Sequence, residues 1–367
     1  MRITIYDKYI FKQVALTTFV SILLFTVVWI APEMLLNTIK KILAGQYTVQ
    51  MGLAYLTYQL PLILGKAFPV GLLLGALFTF DKLSKDSEVT IFRAAGMTFP
   101  RIIAPVVVLS IIVTWLCFMT YDVFIPVSQQ RLMNMQCRNP VSQYIHTQKD
   151  LVGRPIKSVV ISRYDKYTMD DIIVLDFSKK VFDDVHGISQ IFVAKHGKRL
   201  SDKWVLTDII QYDITNEGLF KEISKKESME VMQGKLASDV SVLMDNAGKR
   251  DREITNKDLK HYISLLKDHK MEETYRLMLN KYYQRFFHPF VCVLLAVMGC
   301  LLGFSKPREQ RLVGFTIAIG AIFLYYITLP FFDLLAEKGV LFPVVSAGFP
   351  PVAFLLACVA FYKTKDL

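Results

Sequence analysis

The chain has 367 residues, of which 53% are hydrophobic and 20% charged, and its formal net charge is +11 at pH 7. Its mean hydropathy of +0.36 and the long apolar runs near both ends exclude a purely soluble protein. No basic helix, RNA-binding motif or zinc spacing accompanies the charge, so no nucleic-acid partner is expected. Cytoplasmic loops rich in lysine and arginine explain the charge, and an anionic ligand such as a phosphorylated lipid is the open alternative.

Six apolar runs are long enough to cross a membrane, which takes ~20 residues for ~30 Å of hydrocarbon. They cover residues 9–36, 53–80, 102–125, 286–304, 312–332 and 341–362. The first run is too long for a cleavable signal, and Pro350 and Pro351 are expected to kink or break the last. The loop between the second and third runs is rich in basic residues. The positive-inside rule therefore predicts cytoplasmic termini and an external segment between the third and fourth runs.

The segment 129–274 has the pattern of a β domain. Short runs rich in β-branched residues alternate with turn signals. These runs are 158–163, 172–177, 190–195 and 203–209. Because crossover helices are missing between them, the pattern favours an antiparallel sandwich or jelly roll. Residues 256–270 have helical spacing instead, with Thr255 or Asn256 as the expected cap.

Motifs of catalysis and metal binding do not occur in the sequence. It has no P-loop, no HExxH and no GxSxG, and its six histidines lack metal-ligand spacing. The five cysteines form no CxxC pair, and Cys137 is alone in the middle segment. We therefore expect no catalytic residue, no metal and no cofactor on this chain. An enzyme is the least expected class, and energy for any work is expected from a partner or an ion gradient.

The loop 81–96, between the second and third spans, predicts a short helix at the membrane surface. Asp86 or Ser87 can cap its start and Gly96 can end it. Glu88 then lies in the first turn, beside the positive end of the helix dipole. Such a helix lies on lipid or fits a groove in a partner, and composition alone favours the plain surface helix.

The same loop resembles that of a known family. The second span ends in PVGLLLG at 69–75, followed by Ser-Glu at 87–88 and Ala-Ala-Gly at 94–96. This pattern resembles the cytoplasmic coupling loop of the lipopolysaccharide export permeases, the LptF/LptG family. The DKYI start at 7–10, the lysine pair at 40–41 and the three-plus-three layout agree, so the resemblance spans essentially the whole chain.

The resemblance implies a bacterial inner-membrane subunit of an ABC transporter that extracts lipopolysaccharide and passes it to a periplasmic bridge. The implied partners are an LptB-like ATPase dimer, a paralogous LptF/LptG subunit or a second copy of this chain, LptC/LptA-like periplasmic jelly-roll proteins, and lipopolysaccharide. The expected fold is an α-helical membrane protein with six transmembrane helices around an inserted periplasmic antiparallel β jelly-roll domain. Its expected domains are 1–128, with a coupling helix at about 82–96, then 129–274 and 275–367.

The resemblance also assigns roles to residues of the loop. Glu88 matches the coupling-helix glutamate of the family, and Ser87, Val89, Phe92 and Arg93 complete the expected contact with the ATPase. A charged contact suits transmission, since loss of one partner of a buried pair costs several kcal/mol. In addition, Val89 and Phe92 share one apolar stripe with Ala95.

Four basic residues are candidates for binding lipid phosphate. In the family, basic residues at the positions of Lys40 and Lys41 face the phosphates of lipid A, and interfacial snorkelling is the alternative. Lys66 lies inside the second span, where the family is expected to have neutral residues. It can reach the outer interface, pair with a carboxylate, Glu33 or Asp333, or contact a ligand phosphate, and the ion pair is preferred. Arg285 either anchors the fourth span at the interface or shares the headgroup site.

Two other function classes stay open at this point. One is a different ABC or mechanotransmission assembly, which typically has four spans. The other is a non-transport sensor or scaffold whose external domain binds a ligand and which retains no ATPase.

Overall fold

The computed structural model describes residues 4–30, 34–135, 143–149, 154–164, 168–177, 180–181, 185–186, 188–200, 203–215, 220–304 and 311–364. The chain divides into two compact units. One unit combines Met1–Gln136 with Arg276–Leu367, and the other is Cys137–Tyr275. The helices are α1 (Ile5–Ile30), α2 (Leu36–Leu43), α3 (Val49–Lys85), α4 (Glu88–Ala94), α5 (Phe99–Met119), α6 (Ile125–Met135), α7 (Gly234–Ala247), α8 (Asn256–Asp268), α9 (Glu272–Gly303), α10 (Arg311–Glu337) and α11 (Pro343–Thr364).

Six of the described helical segments are long and apolar enough to cross a membrane, which confirms the predicted six spans. They are α1, α3, α5 continued into α6, α9, α10 and α11. A π-helical stretch, Thr120–Phe124, joins α5 to α6. The prolines at 350 and 351 do not break α11, which continues to Thr364.

Glycines allow close approach of α3 to α1 and to α9 in the membrane unit. A β-carbon on Gly71 would lie 2.2 Å from the Ile22 side chain of α1. On α9, a β-carbon on Gly299 would lie 2.4 Å from the Leu73 carbonyl oxygen of α3. Close backbone contacts at small residues drive helix association where lipid is as apolar as the side chains. Helix α3 is therefore the centre of this unit.

The second unit contains the predicted β domain. Its strands are β1 (Tyr144–Lys149), β2 (Pro155–Tyr164), β3 (Thr168–Asp176), β4 (Lys180–Val181), β5 (Val185–His186), β6 (Gln190–Arg199), β7 (Lys203–Ile214) and β8 (Phe220–Gln233). Six of them form one antiparallel sheet in the order β1-β2-β3-β6-β7-β8, and β4 pairs with β5. All four strands expected from the sequence are present, as β2, β3, β6 and β7.

Side chains tie the sheet to its helices. The Trp204 indole donates a hydrogen bond of 3.0 Å to the Ser241 hydroxyl of α7. The Tyr164 hydroxyl donates to the Met244 carbonyl, also at 3.0 Å. Thr255 caps α8 by accepting from the backbone N–H of Asp258, as the sequence predicted. One face of the sheet is thereby covered from within the chain.

Candidate functional site

The loop after α3 forms the short helix α4, whose first turn begins in an unusual backbone conformation. Asp86 ends α3, and Ser87 precedes α4 in a left-handed conformation with φ of 60° and no side-chain cap. The expected side-chain cap is therefore wrong, because a residue in that conformation does not take the extended backbone of a usual N-cap. Gly96, with φ of 83°, ends the helix as predicted, and its N–H donates to the Arg93 carbonyl at 2.9 Å. Residues 87–96 are called the coupling segment below.

Two residues of the apolar stripe of α4, Val89 and Phe92, pack against the rest of the chain. Val89 is buried in the helical core, and the Phe92 ring meets the Tyr6 ring edge-on at 4.6 Å. Both residues pack on their own chain, Val89 fully and Phe92 in part, and their expected contact with a partner stays a prediction. Ala95 and Ile91 are exposed, so the outer surface of α4 carries different residues.

The two charged residues of the coupling segment are held at its surface. Glu88 is half-buried, and its Oε1 accepts a hydrogen bond of 3.0 Å from the Tyr9 hydroxyl. The exposed Arg93 guanidinium lies 5.8 Å from the centre of the Phe304 ring. Sequence reasoning missed Tyr6 and Tyr9, although their spacing of three on one helix places them on one face.

The two lysines on α2 differ in how far their side chains are exposed. Lys40 is exposed. The half-buried Lys41 donates to the Tyr47 hydroxyl at 3.3 Å, and its Nζ lies 5.6 Å from the centre of the Tyr55 ring. Cation–π contact and the hydrogen bond fix the Lys41 ammonium. Lys40 is therefore the residue of the pair that is open to a ligand.

Lys66 lies against an aromatic ring of α1. Its Nζ is 5.0 Å from the centre of the Trp29 ring, and its backbone carbonyl accepts from the Tyr326 hydroxyl at 2.7 Å. Of its two expected carboxylate partners, Glu33 lies outside the described residues. The other, Asp333, forms its ion pair with Lys281, so the expected pair between Lys66 and Asp333 is wrong.

A polar cluster joins α9 to α10. The Asp333 carboxylate accepts from Asn280 at 2.8 Å and from Gln284 at 2.7 Å, in addition to its bond with Lys281. These donors satisfy the carboxylate, which offsets part of the cost of removing it from water. Arg285, one helical turn after Lys281 on α9, is only 5% exposed. Its side chain is therefore not accessible to a lipid phosphate in the structure.

The candidate residues lie at different levels along α3, because Lys40 and Lys41 precede its start at Val49 and Lys66 is near its middle. The coupling segment follows the end of α3 at Lys85. Lys66 lies 19 residues earlier, which is ~28 Å along an α-helix. Lys40, Lys41 and Lys66, called the outer basic group below, are thus separated from the coupling segment by about the thickness of the hydrocarbon layer in the case of Lys66, and by more in the case of the two lysines of α2. Within the part of the chain that the structure describes, His, Cys, Asp and Glu side chains form no group of three that could hold a metal.

Comparison with known proteins adds one family. Residues 8–364 match the sequence profile described as lipopolysaccharide export system permease LptF/LptG. The match therefore runs through the coupling segment, the outer basic group and the inserted β domain. A comparison with curated proteins finds no match.

Proposed function

The chain belongs to the lipopolysaccharide export system permease family LptF/LptG, and from this membership we propose how its two groups of residues divide the work of export. It is a multi-pass inner-membrane transporter subunit, not an enzyme, and its system exports lipopolysaccharide. The six spans also differ from the four that are typical of mechanotransmission assemblies.

In the proposed orientation, both termini and the coupling segment are cytoplasmic, and the β domain is periplasmic. The basic residues Lys82 and Lys85, at the α4 end of α3, support this orientation because cytoplasmic loops accumulate positive charge. The outer basic group then lies near the outer surface of the inner membrane, where the headgroups of lipopolysaccharide are found.

ATP hydrolysis is assigned to an LptB-like ATPase dimer that docks on α4, and the chain itself is proposed to hold no cofactor. The position of Glu88 supports this assignment, because its carboxylate is at the surface of a helix that also exposes Ile91. Ser87 and Arg93 are also exposed and complete the contact. Val89 and Phe92 take part indirectly, by fixing α4 on its own chain.

The outer basic group is proposed to bind lipid phosphates. Lys40 makes the direct contact, since it is exposed, whereas Lys41 shapes the loop between α2 and α3. Lys66 adds charge at the level of Trp29. Ammonium groups bind phosphate as point charges. A paralogous LptF/LptG subunit, or a second copy of this chain, completes the permease, and LptC/LptA-like jelly-roll proteins receive the lipid.

Affinity purification from membranes in mild detergent tests this proposal. The wild-type chain is expected to retain a soluble ATPase and lipopolysaccharide, both identified by mass spectrometry. Glu88→Lys is expected to lose the ATPase, because it reverses the charge at the contact. Asp86→Lys, with the same charge change at the exposed end of α3, is the matched control and keeps the ATPase. Equal ATPase recovery with Glu88→Lys contradicts the assigned contact.

A further inference from the structure

The first turns of α1 contact the segment that follows α4. Asp7 Oδ2 accepts from the Thr4 backbone N–H at 2.9 Å and from its hydroxyl at 2.8 Å, which closes the N-terminal turn of the helix. The same oxygen accepts from the Arg101 guanidinium at 2.8 Å, and the Asp7 side chain is only 16% exposed. This ion pair joins the start of α1 to the start of α5.

Two tyrosines of the same turns contact α4 itself. Beyond its ring contact with Phe92, Tyr6 donates a hydrogen bond of 2.9 Å to the Ile102 carbonyl. Tyr9, three residues later, donates to Glu88. Helix α1 therefore contacts α4 at its first residue, Glu88, and at Phe92, and it also contacts the start of α5, in addition to the covalent links of the coupling segment to α3 and α5.

Further along the chain, α1 is joined to α3 by hydrogen bonds and close packing. The Thr17 hydroxyl donates to the Gly75 carbonyl at 3.0 Å and lies 2.7 Å from the Thr79 hydroxyl. Further along, Ile22 packs on Gly71 without space for a β-carbon. Because these contacts leave little room for sliding, α1 and α3 move together. Helix α1 then leads towards α2 and the outer basic group.

We propose that Tyr6, Asp7 and Tyr9 form the seat through which a displacement of α4 passes to α1, with Tyr9 as a positioning residue for Glu88. The proposed function supplies only the source of the displacement, the ATPase. The seat itself follows from the contacts of α1. Without it, α4 would act on α3 and α5 alone, and α1 would respond only through its packing on α3.

The first test compares lipid transport with ATP consumption. The complete permease, with its ATPase, is placed in lipid nanodiscs, and released lipopolysaccharide and hydrolysed ATP are measured in the same sample. Tyr9→Phe removes one hydroxyl, and we expect the lipid released per ATP to fall roughly three- to tenfold, while the ATPase stays bound. Tyr58→Phe, on α3, is the matched control and leaves the ratio unchanged. An unchanged ratio in Tyr9→Phe overturns the role of Tyr9.

The second test needs no ATPase. Amide hydrogen exchange across residues 88–96 is measured in the chain alone in nanodiscs. Tyr6→Ala and Asp7→Arg are expected to speed this exchange, and the swap of Asp7→Arg with Arg101→Asp is expected to slow it again, since the ion pair is restored. Wild-type exchange in all variants overturns the seat. Failure of the wild-type chain to retain an ATPase would instead count against the proposed function and leave this measurement to decide the seat.

Discussion

A β-carbon built on Gly75 would lie 2.5 Å from the α-carbon of Thr18, so α1 and α3 meet backbone to backbone at this point. That separation is shorter than any normal contact between carbon atoms. The final glycine of the PVGLLLG motif is therefore required by packing within the chain, and no contact with a ligand or a partner is needed to explain it.

Gly75→Ala is expected to destabilise the helical unit by roughly 1–3 kcal/mol, because overpacking forces the backbone of α1 away. Thermal unfolding of the full chain in detergent measures the effect. Gly320→Ala is the matched control, since a β-carbon there meets nothing within 4 Å and alanine favours a helix. Equal melting temperatures for Gly75→Ala and the wild type would show that α1 is free to shift.

Asp333→Leu is expected to cost several kcal/mol, because it leaves the Lys281 ammonium and two amide donors partly buried without their acceptor. Chemical unfolding of the full chain measures this loss. In the double variant with Lys281→Met, the unpaired charge is gone, so part of the stability should return. A double variant as unstable as Asp333→Leu alone would show that the ion pair is not the main contribution of this cluster.

The two lysines of α2 should differ when each is changed to glutamine. Lys40→Gln is expected to weaken binding of lipopolysaccharide several-fold without affecting stability, because Lys40 is exposed. Lys41→Gln is expected to lower the melting temperature as well, since it removes the ammonium from between Tyr47 and Tyr55. Binding to purified lipid and melting in detergent separate the two effects. Identical results for the two variants would contradict the division of roles.

The β domain is expected to lose stability in mild acid through His146. Burial, and secondarily the nearby His269, lower the pKa of His146 from 6.5 to about 4. Between these values the unfolded chain binds more protons than the folded chain, so stability is complete above pH 6.5 and falls as the pH drops towards 4. The full loss is roughly 3 kcal/mol.

Melting of the full chain in nanodiscs, followed by the fluorescence of Trp204 after Trp29 and Trp115 are changed to phenylalanine, measures this dependence. His146→Leu should flatten the melting temperature between pH 6.5 and 4. His261→Leu is the control, since His261 is exposed and the same substitution there keeps the acid sensitivity. An unchanged pH dependence in His146→Leu would mean that other groups cause it.

Long runs of apolar or β-branched residues predicted the transmembrane spans and the main strands correctly. Elements without such a run were missed. The spans and four strands follow from runs of apolar and β-branched residues. Strand β8 was missed because an edge strand bearing charged side chains, such as Lys225, Lys226, Glu227 and Glu230, lacks the alternation of a half-buried strand. Helix α7 was missed as well.

The candidate site shows the same limit. Helical spacing correctly put Val89 and Phe92 on one face of α4, but spacing cannot say what that face packs against, and Tyr6 lies more than 80 residues earlier in the chain. The carboxylate partner of Lys281 was likewise hidden, because the choice among basic residues for Asp333 depends on how α9 and α10 are rotated. Both contacts join segments that are distant in sequence.

Helix α3 is much longer than the hydrocarbon layer is thick. Its 37 residues span roughly 55 Å, whereas the hydrocarbon layer is ~30 Å thick. The continuous helix from Phe99 to Met135 has the same length, and the two helices are joined by a hydrogen bond between Gln129 and Gln59. Both helices are therefore long enough to cross the hydrocarbon layer and to continue well beyond it.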